Sequence, residues 1–172
     1  MSVVRTLSSE CPQPFSIASM LNRANGVLLR SGDPQDLFVT LFCGIYKPDR
    51  RHLAFANAGH PPPVLLRSGR KAVFLSEGAS LPLAVVAEFA AAESEVSLES
   101  GDILVLYTDG ITDARGGGTE LFGLDRLREC LERCRDLGPE RLVRGIRDAV
   151  RSFTGPVEAS DDSTIVVLGP AQ

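Results

Sequence analysis

The 172-residue sequence lacks the patterns that mark several common protein classes. No hydrophobic run approaches the roughly 20 residues that span a bilayer, and the opening MSVVRTLSSE is too short and polar for a signal peptide. A net charge of −4, with acidic and basic residues interleaved, leaves no basic footprint for nucleic acid. These absences predict a cytoplasmic protein that binds neither membrane nor nucleic acid.

Cysteine and histidine are also scarce. The four cysteines form no CxxC pair, and neither histidine lies near them at a spacing typical of zinc sites. Cys130 and Cys134 stand four residues apart on a predicted helix, which places both thiols on one face. Reduced cysteines in or near the core of a cytosolic protein are the favoured interpretation.

The residues that are present indicate a single folded domain. Hydrophobic residues make up 44% of the chain and charged residues 23%, as in soluble globular proteins. The length favours one domain over residues 1–172 with a sizeable core. No internal repeat, low-complexity tract or interdomain linker divides it.

Hydrophobic periodicity predicts helices near both ends and strands between them. Helices are expected in three segments with apolar residues every three or four positions: 14–30, 124–134 and 139–152. Strands are expected in seven segments bounded by turn residues: 38–46, 52–58, 64–67, 71–75, 93–98, 103–107 and 164–168. The first four strands read as two hairpins. This order predicts antiparallel sheet layers with helices packed outside.

Two of the predicted strands carry aspartate at one end. Asp109 and Gly110 come just after the apolar run ILVLY, and Asp161 and Asp162 precede the last strand. A rigid strand fixes where a carboxylate points, and Mg²⁺ and Mn²⁺ favour carboxylate, carbonyl and water oxygens. The pattern indicates two strand ends that face one divalent cation. Taken alone, a turn role for these aspartates is the favoured alternative.

Three segments together resemble the SpoIIE/RsbU-type branch of the metal-dependent PPM protein phosphatases: FANAGHPPPVLL (55–66), LYTDGITDARGGGTELFG (106–123) and DDSTIVVL (161–168). The resemblance implies an α+β fold, an α-β-β-α sandwich of two mainly antiparallel sheets with helices outside. It implies hydrolysis of phosphoserine or phosphothreonine on a protein, using two Mn²⁺ or Mg²⁺ ions. The implied setting is bacterial partner switching or stress signalling, with a phosphoprotein substrate such as an anti-sigma-factor antagonist. An upstream sensor domain or a homodimer would fit the same family.

The resemblance also implies roles for individual residues. Asp109 and Asp161 match the family's metal ligands at the two strand ends. Four further residues are expected to line the site: Asn57, His60, Gly110 and Asp162. For His60 an alternative stays open, in which Gly59 and the following prolines shape a turn and His60 hydrogen-bonds backbone. No catalytic residue is assigned.

The sequence departs from the family pattern at its start. Family members begin with strands that carry Gly-Asp-aromatic-Asp-like and Asp-x-x-Gly-x-Gly-like motifs, and the second motif supplies the aspartate that bridges both metals. This sequence has no aspartate before Asp33 and no glycine before Gly26. The expectation is therefore a truncated domain that lacks its N-terminal strands and metal ligands. The alternative function is a catalytically inactive relative or fragment that binds a phosphoprotein or a regulatory partner.

Three smaller features carry expectations of their own. Ala84 stands where the family usually has glycine, so that loop is expected to differ in backbone conformation. The run Gly116–Gly118 lacks the following Lys-Ser/Thr and helix of a phosphate-binding loop, which favours a flexible loop. The arginines between Arg126 and Arg151 are expected to form a solvated helix face.

Overall fold

The computed structural model describes residues 16–30, 38–156 and 162–169, which form two compact units. The described residues of the N-terminal unit are 16–30, 38–60 and 76–98, and those of the C-terminal unit are 61–75, 99–156 and 162–169. Each unit has a mainly antiparallel sheet with helices packed against it, and this confirms the predicted α+β class. A single domain over residues 1–172 stays a prediction.

The elements agree closely with the predicted helices and strands. In chain order they are α1 (Ile17–Arg30), β1 (Leu41–Lys47), β2 (His52–Ala58), β3 (Val64–Leu66), β4 (Val73–Phe74), β5 (Ala79–Ser80), β6 (Ser94–Ser97), β7 (Ile103–Tyr107), α2 (Asp109–Thr112), α3 (Gly123–Cys134), α4 (Pro139–Thr154) and β8 (Ile165–Leu168). The short elements β5 and α2 were not predicted. None of the helices in the described ranges is long and apolar enough to cross a membrane.

In the N-terminal unit the sheet is built around β2. β1 and β2 form the predicted hairpin through a 3₁₀ turn at Pro48–Arg50. On its other edge β2 pairs antiparallel with β6 and parallel with β5. β1 begins later than predicted because Val39 forms a separate antiparallel bridge with Leu83. Helix α1 packs on this sheet through Ile17 and Leu21, which are both buried against β2.

The start of α1 is tied to the segment that leads into β6. The Ser16 hydroxyl caps the helix by accepting the Ser19 N–H at 3.0 Å. Glu93 Oε1 accepts hydrogen bonds from the Ser16 hydroxyl at 2.6 Å and from the Ala18 N–H at 2.7 Å. These hydrogen bonds stabilise the charged carboxylate and lower the pKa of Glu93.

The loop at Ala84 keeps a backbone conformation that suits glycine. Ala84 has φ +66°, in the left-handed region, which costs a residue with a Cβ about 1–2 kcal/mol. Its N–H donates to Oδ1 of the buried Asn25 at 2.8 Å, and Asn25 Nδ2 donates to the Val86 carbonyl at 3.0 Å. The buried Asn25 amide therefore holds the loop in a backbone conformation that glycine adopts readily, and a difference from the family's loop stays a prediction.

The sheet of the C-terminal unit has the strand order β4-β3-β7-β8 and is antiparallel throughout. Strand β7 lies in its interior, and its Leu104, Val105 and Tyr107 are buried. Helices α3 and α4 cover one face with four fully buried side chains: Leu127, Leu131, Leu142 and Ile146.

Both helix cysteines lie in this core as free thiols. Burial raises the pKa of the Cys130 thiol to about 11. A thiol with so high a pKa is protonated at neutral pH, in line with the predicted core role.

Candidate metal centre

The candidate site lies where β7 ends and β8 begins. The two strands pair antiparallel, with Tyr107 opposite Ile165, so the last residues of one strand lie beside the first residues of the other. Asp109 follows β7 and Asp162 precedes β8. The pairing of β7 with β8 therefore brings these two strand ends together.

Thr108 joins the two strand ends through three hydrogen bonds. Its N–H donates to the Thr164 carbonyl at 3.1 Å, and its Oγ1 accepts the Thr164 N–H at 2.9 Å. The same hydroxyl donates to the Asp162 carbonyl at 3.2 Å. Sequence analysis missed this role. The signal was a hydroxyl-bearing residue between a buried strand and the Asp-Gly pair.

Asp109 opens the one-turn helix α2, where the sequence predicted only a turn. The Asp109 carbonyl accepts the Asp113 N–H at 2.7 Å and the Thr112 hydroxyl at 3.2 Å, so Asp113 closes the turn. The side chain of Asp109 is exposed, and its Oδ1 accepts the Gly110 N–H at 3.0 Å. In the described residues it makes no other hydrogen bond or ion pair. Its second oxygen is free to bind a ligand.

Gly110 is required by close approach of two backbones. A Cβ at this position would lie 2.5 Å from the Asp162 carbonyl oxygen and 3.1 Å from the carbonyl carbon. Such contacts are shorter than carbon and oxygen atoms tolerate. Only glycine lets the start of α2 lie directly against the segment that leads into β8.

The donor atoms at this edge suit a hard divalent cation. Asp109 offers a carboxylate, and Asp162 is an exposed acidic residue beside it in the structure. Asp161 lies outside the described residues, so its role as a ligand stays a prediction. Within the described ranges no group of three histidine, cysteine or acidic side chains is placed to hold a metal. Binding of Mg²⁺ or Mn²⁺ by Asp109 therefore stays a prediction, in line with the preference of these ions for carboxylate oxygens.

Asn57 and His60 belong to the N-terminal unit, where they form a tight turn after β2. The buried Asn57 accepts the His60 N–H at 2.8 Å and donates to the His60 carbonyl at 2.8 Å. Gly59 has φ +70°, and a Cβ there would lie 2.5 Å from Pro82 Cγ. Gly59 and the Asn57 side chain therefore shape a turn here, while the alternative role of the His60 side chain stays open. A place for Asn57 and His60 in the site stays a prediction.

Sequence comparison places these features in a known family. The chain matches the family Stage II sporulation protein E (SpoIIE) over residues 1–170. The chain belongs to the SpoIIE family. It is 25% identical to the phosphoserine phosphatase RsbU of Bacillus subtilis over 98% of its own length and 50% of that protein. It is 31% identical to the protein IcfG of Synechocystis over 76% of its length and 20% of that protein.

The fold of this SpoIIE-family chain matches known structures. The PP2C domain of SiaA from Pseudomonas aeruginosa superposes with a TM-score of 0.72 at 23% identity, covering 88% of this chain and 59% of that one. The match confirms the predicted fold of two sheets with helices. The chain spans half the length of RsbU and a fifth of the length of IcfG.

Proposed function

We propose that this chain carries the phosphatase function of a PP2C-type enzyme that hydrolyses phosphoserine or phosphothreonine on a protein. In this proposal Asp109 and Asp161 bind Mn²⁺ or Mg²⁺, and Gly110 and Asp162 line the site. The observation that carries it is the exposed Asp109 carboxylate, fixed on a one-turn helix that packs against the segment before β8. Membership of a family that includes a phosphoserine phosphatase supports the choice of reaction.

The chemistry explains why acidic residues are needed at an anionic substrate. Hydrolysis of a phosphomonoester is extremely slow without a catalyst. Two divalent cations, when bound, make hydroxide available from water and offset charge on the phosphoryl oxygens. The chain contributes by orientation, since the Gly110 N–H holds one Asp109 oxygen and leaves the other for a cation. Thr108 keeps the two strand ends in register.

The biological setting is part of the proposal. By similarity to RsbU, the substrate is a phosphoprotein such as an anti-sigma-factor antagonist in bacterial partner switching or stress signalling. The reaction takes place in the cytoplasm. A sensor domain upstream, or a homodimer, would link the activity to a signal.

Turnover of p-nitrophenyl phosphate tests the proposal. The 172-residue chain is assayed with and without Mn²⁺, beside Asp109→Ala and the matched variant Asp113→Ala. Asp113 is an exposed aspartate of the same turn to which no ligand role is given. The expected result is Mn²⁺-dependent release of phosphate that Asp109→Ala removes and Asp113→Ala retains.

Two other results would contradict the proposal. A folded wild-type chain without turnover would favour the alternative, a relative that binds a phosphoprotein without hydrolysing it. Equal loss of turnover in both variants would show that the turn as a whole matters, and not Asp109 as a ligand. Circular dichroism of each variant separates loss of the site from loss of the fold.

A further inference from the structure

The segment that follows α2 forms a short hairpin, residues 114–122, here called the glycine hairpin. Arg115 and Leu121 form an antiparallel bridge at its base. The Phe122 N–H donates to the Ala114 carbonyl at 2.8 Å, and the Gly116 N–H donates to the Glu120 carbonyl at 3.2 Å. The glycine run 116–118 therefore lies at the tip of a hydrogen-bonded hairpin, and its flexibility stays a prediction.

Arg126 of α3 clamps one arm of the glycine hairpin. Its Nη1 donates to the Leu121 carbonyl at 3.0 Å and to the Phe122 carbonyl at 3.2 Å. Its Nη2 forms an ion pair with Glu120. The guanidinium also stacks over the Phe153 ring of α4, 4.6 Å from the centroid. Arg126 thus makes four contacts, three with the arm of the hairpin at residues 120–122 and one with Phe153.

Phe153 supports the hairpin from the other side. The ring packs edge-on against Phe122 with centroids 5.7 Å apart. It also lies against Gly116, where an added Cβ would be 3.3 Å from the ring. Both arms of the hairpin are therefore in contact with helices α3 and α4.

Arg115 is the cation that this clamped hairpin presents to solvent. The residue is exposed, while its neighbour Ala114 is buried. In the described part of the chain its guanidinium makes no hydrogen bond, ion pair or ring contact. Arg126 and Arg128, by contrast, both form ion pairs and stack on phenylalanine rings. Arg115 is held in place at its backbone with its donors unused.

Arg115 lies within reach of a ligand at Asp109. The first part of the intervening chain is the helical turn α2, which rises about 1.5 Å per residue. The remaining three residues add at most about 3.5 Å each. The two Cα atoms are therefore no more than about 15 Å apart. The side chain of Arg115 can cover part of this distance. The side chain of Asp109, a bound cation and a phosphoryl group on that cation would cover the rest.

We propose that Arg115 binds the phosphoryl group of the substrate. This inference rests on the proposed function and adds a substrate-binding residue to it. A guanidinium presents parallel N–H donors that match two phosphate oxygens. The clamp reduces the ordering cost of binding because the backbone of Arg115 is already fixed. Arg115 also adds positive charge near Asp109 and Asp113, which repel an anionic substrate when no metal is bound.

The test compares anion binding by the wild-type chain, Arg115→Ala and Arg115→Lys. The control is Arg141→Ala, which removes an exposed arginine of α4 with no ion pair in the described residues. Calorimetry measures Mn²⁺ affinity first, and then the affinity of the Mn²⁺-loaded chain for inorganic phosphate. A second arm without metal measures binding of a synthetic phosphoserine peptide and its unphosphorylated counterpart.

The expected result is a loss of about tenfold in phosphate and phosphopeptide affinity in Arg115→Ala. Arg115→Lys recovers part of this loss, since lysine keeps the charge but not the paired donors. Mn²⁺ affinity stays at the wild-type value in all variants. Arg141→Ala binds both anions as the wild type does.

Equal anion affinity in Arg115→Ala and the wild type, in both arms, would overturn the inference. A wild-type chain that binds neither phosphate nor the phosphopeptide would overturn it as well. Failure to bind Mn²⁺ contradicts the proposed function instead. In that case a loss of phosphopeptide affinity in Arg115→Ala without metal still supports the role of Arg115.

Discussion

One aspartate lies just before strand β7 and another just after it, and the two differ in burial and in hydrogen bonding. Asp102, just before the strand, is 5% exposed and accepts the Glu99 N–H at 2.9 Å. Its Oδ2 also lies 3.7 Å from Nε of Arg67. Asp109, just after the strand, is exposed, and in the described residues its carboxylate accepts only the N–H of its neighbour Gly110.

The difference separates a structural carboxylate from one that is available for binding. A buried carboxylate must be hydrogen-bonded or paired, because burial removes its hydration. Asp102 meets that requirement because its carboxylate accepts the Glu99 N–H and forms an ion pair with Arg67, the residue after β3. Asp109 keeps an oxygen for a ligand while its backbone is held by α2. The same residue type thus stabilises one end of the strand and leaves a carboxylate oxygen exposed at the other.

The largest expected effect is on metal binding at the exposed end. Asp109→Asn should weaken Mn²⁺ binding about 100-fold or more, since loss of a direct ligand exceeds the effect of losing an outer-shell partner. Stability should change by no more than about 0.5 kcal/mol, as for most surface substitutions. Calorimetry with Mn²⁺ and urea denaturation measure the two quantities. Unchanged Mn²⁺ affinity would rule out Asp109 as a ligand.

At the buried end, Asp102→Ala should lower the free energy of unfolding by about 2 kcal/mol. The Glu99 N–H would lose this acceptor and Arg67 would lose this ion pair. Because Arg67 is partly exposed, the effect should stay below that of a fully buried pair. Mn²⁺ affinity of the folded chain should not change. Urea denaturation checks this, with the exposed Asp49→Ala as control. A loss of Mn²⁺ affinity in Asp102→Ala would remove the contrast between the two ends.

The smallest effect is expected at the packing contact beside Asp109. Gly110→Ala should destabilise the chain by about 1 kcal/mol or somewhat more, because the added methyl group forces the start of α2 away from the Asp162 carbonyl. Mn²⁺ binding should weaken as the strand ends separate. Gly117→Ala is the matched control, since an added Cβ there meets nothing within 4 Å. If both alanine variants had the same free energy of unfolding, the close contact at Gly110 would not contribute to stability.

Much of the fold was predicted because long elements leave a periodic pattern in the sequence. The helix predicted at 139–152 is α4 (Pro139–Thr154), and the strand predicted at 103–107 is β7. The short elements were missed for a physical reason. β5 has two residues and α2 has four, too few for any periodicity to appear. Their conformations are set by pairing with β2 and by contact with the segment before β8.

The sequence by itself determined that a buried strand ends in an Asp-Gly pair, because an apolar run and a turn signal are local properties. It also determined the family to which the chain belongs. Only the tertiary structure decided that Asp102 is buried and paired while Asp109 is exposed. Arg67, which pairs with Asp102, and Asp162, which packs against Gly110, are both distant in sequence. The same holds for Arg115, whose guanidinium has no partner among the described residues and whose hairpin is contacted by two helices. Contacts between residues that are distant in sequence decide which polar groups are hydrogen-bonded and which stay exposed. A local sequence pattern carries no information about those contacts.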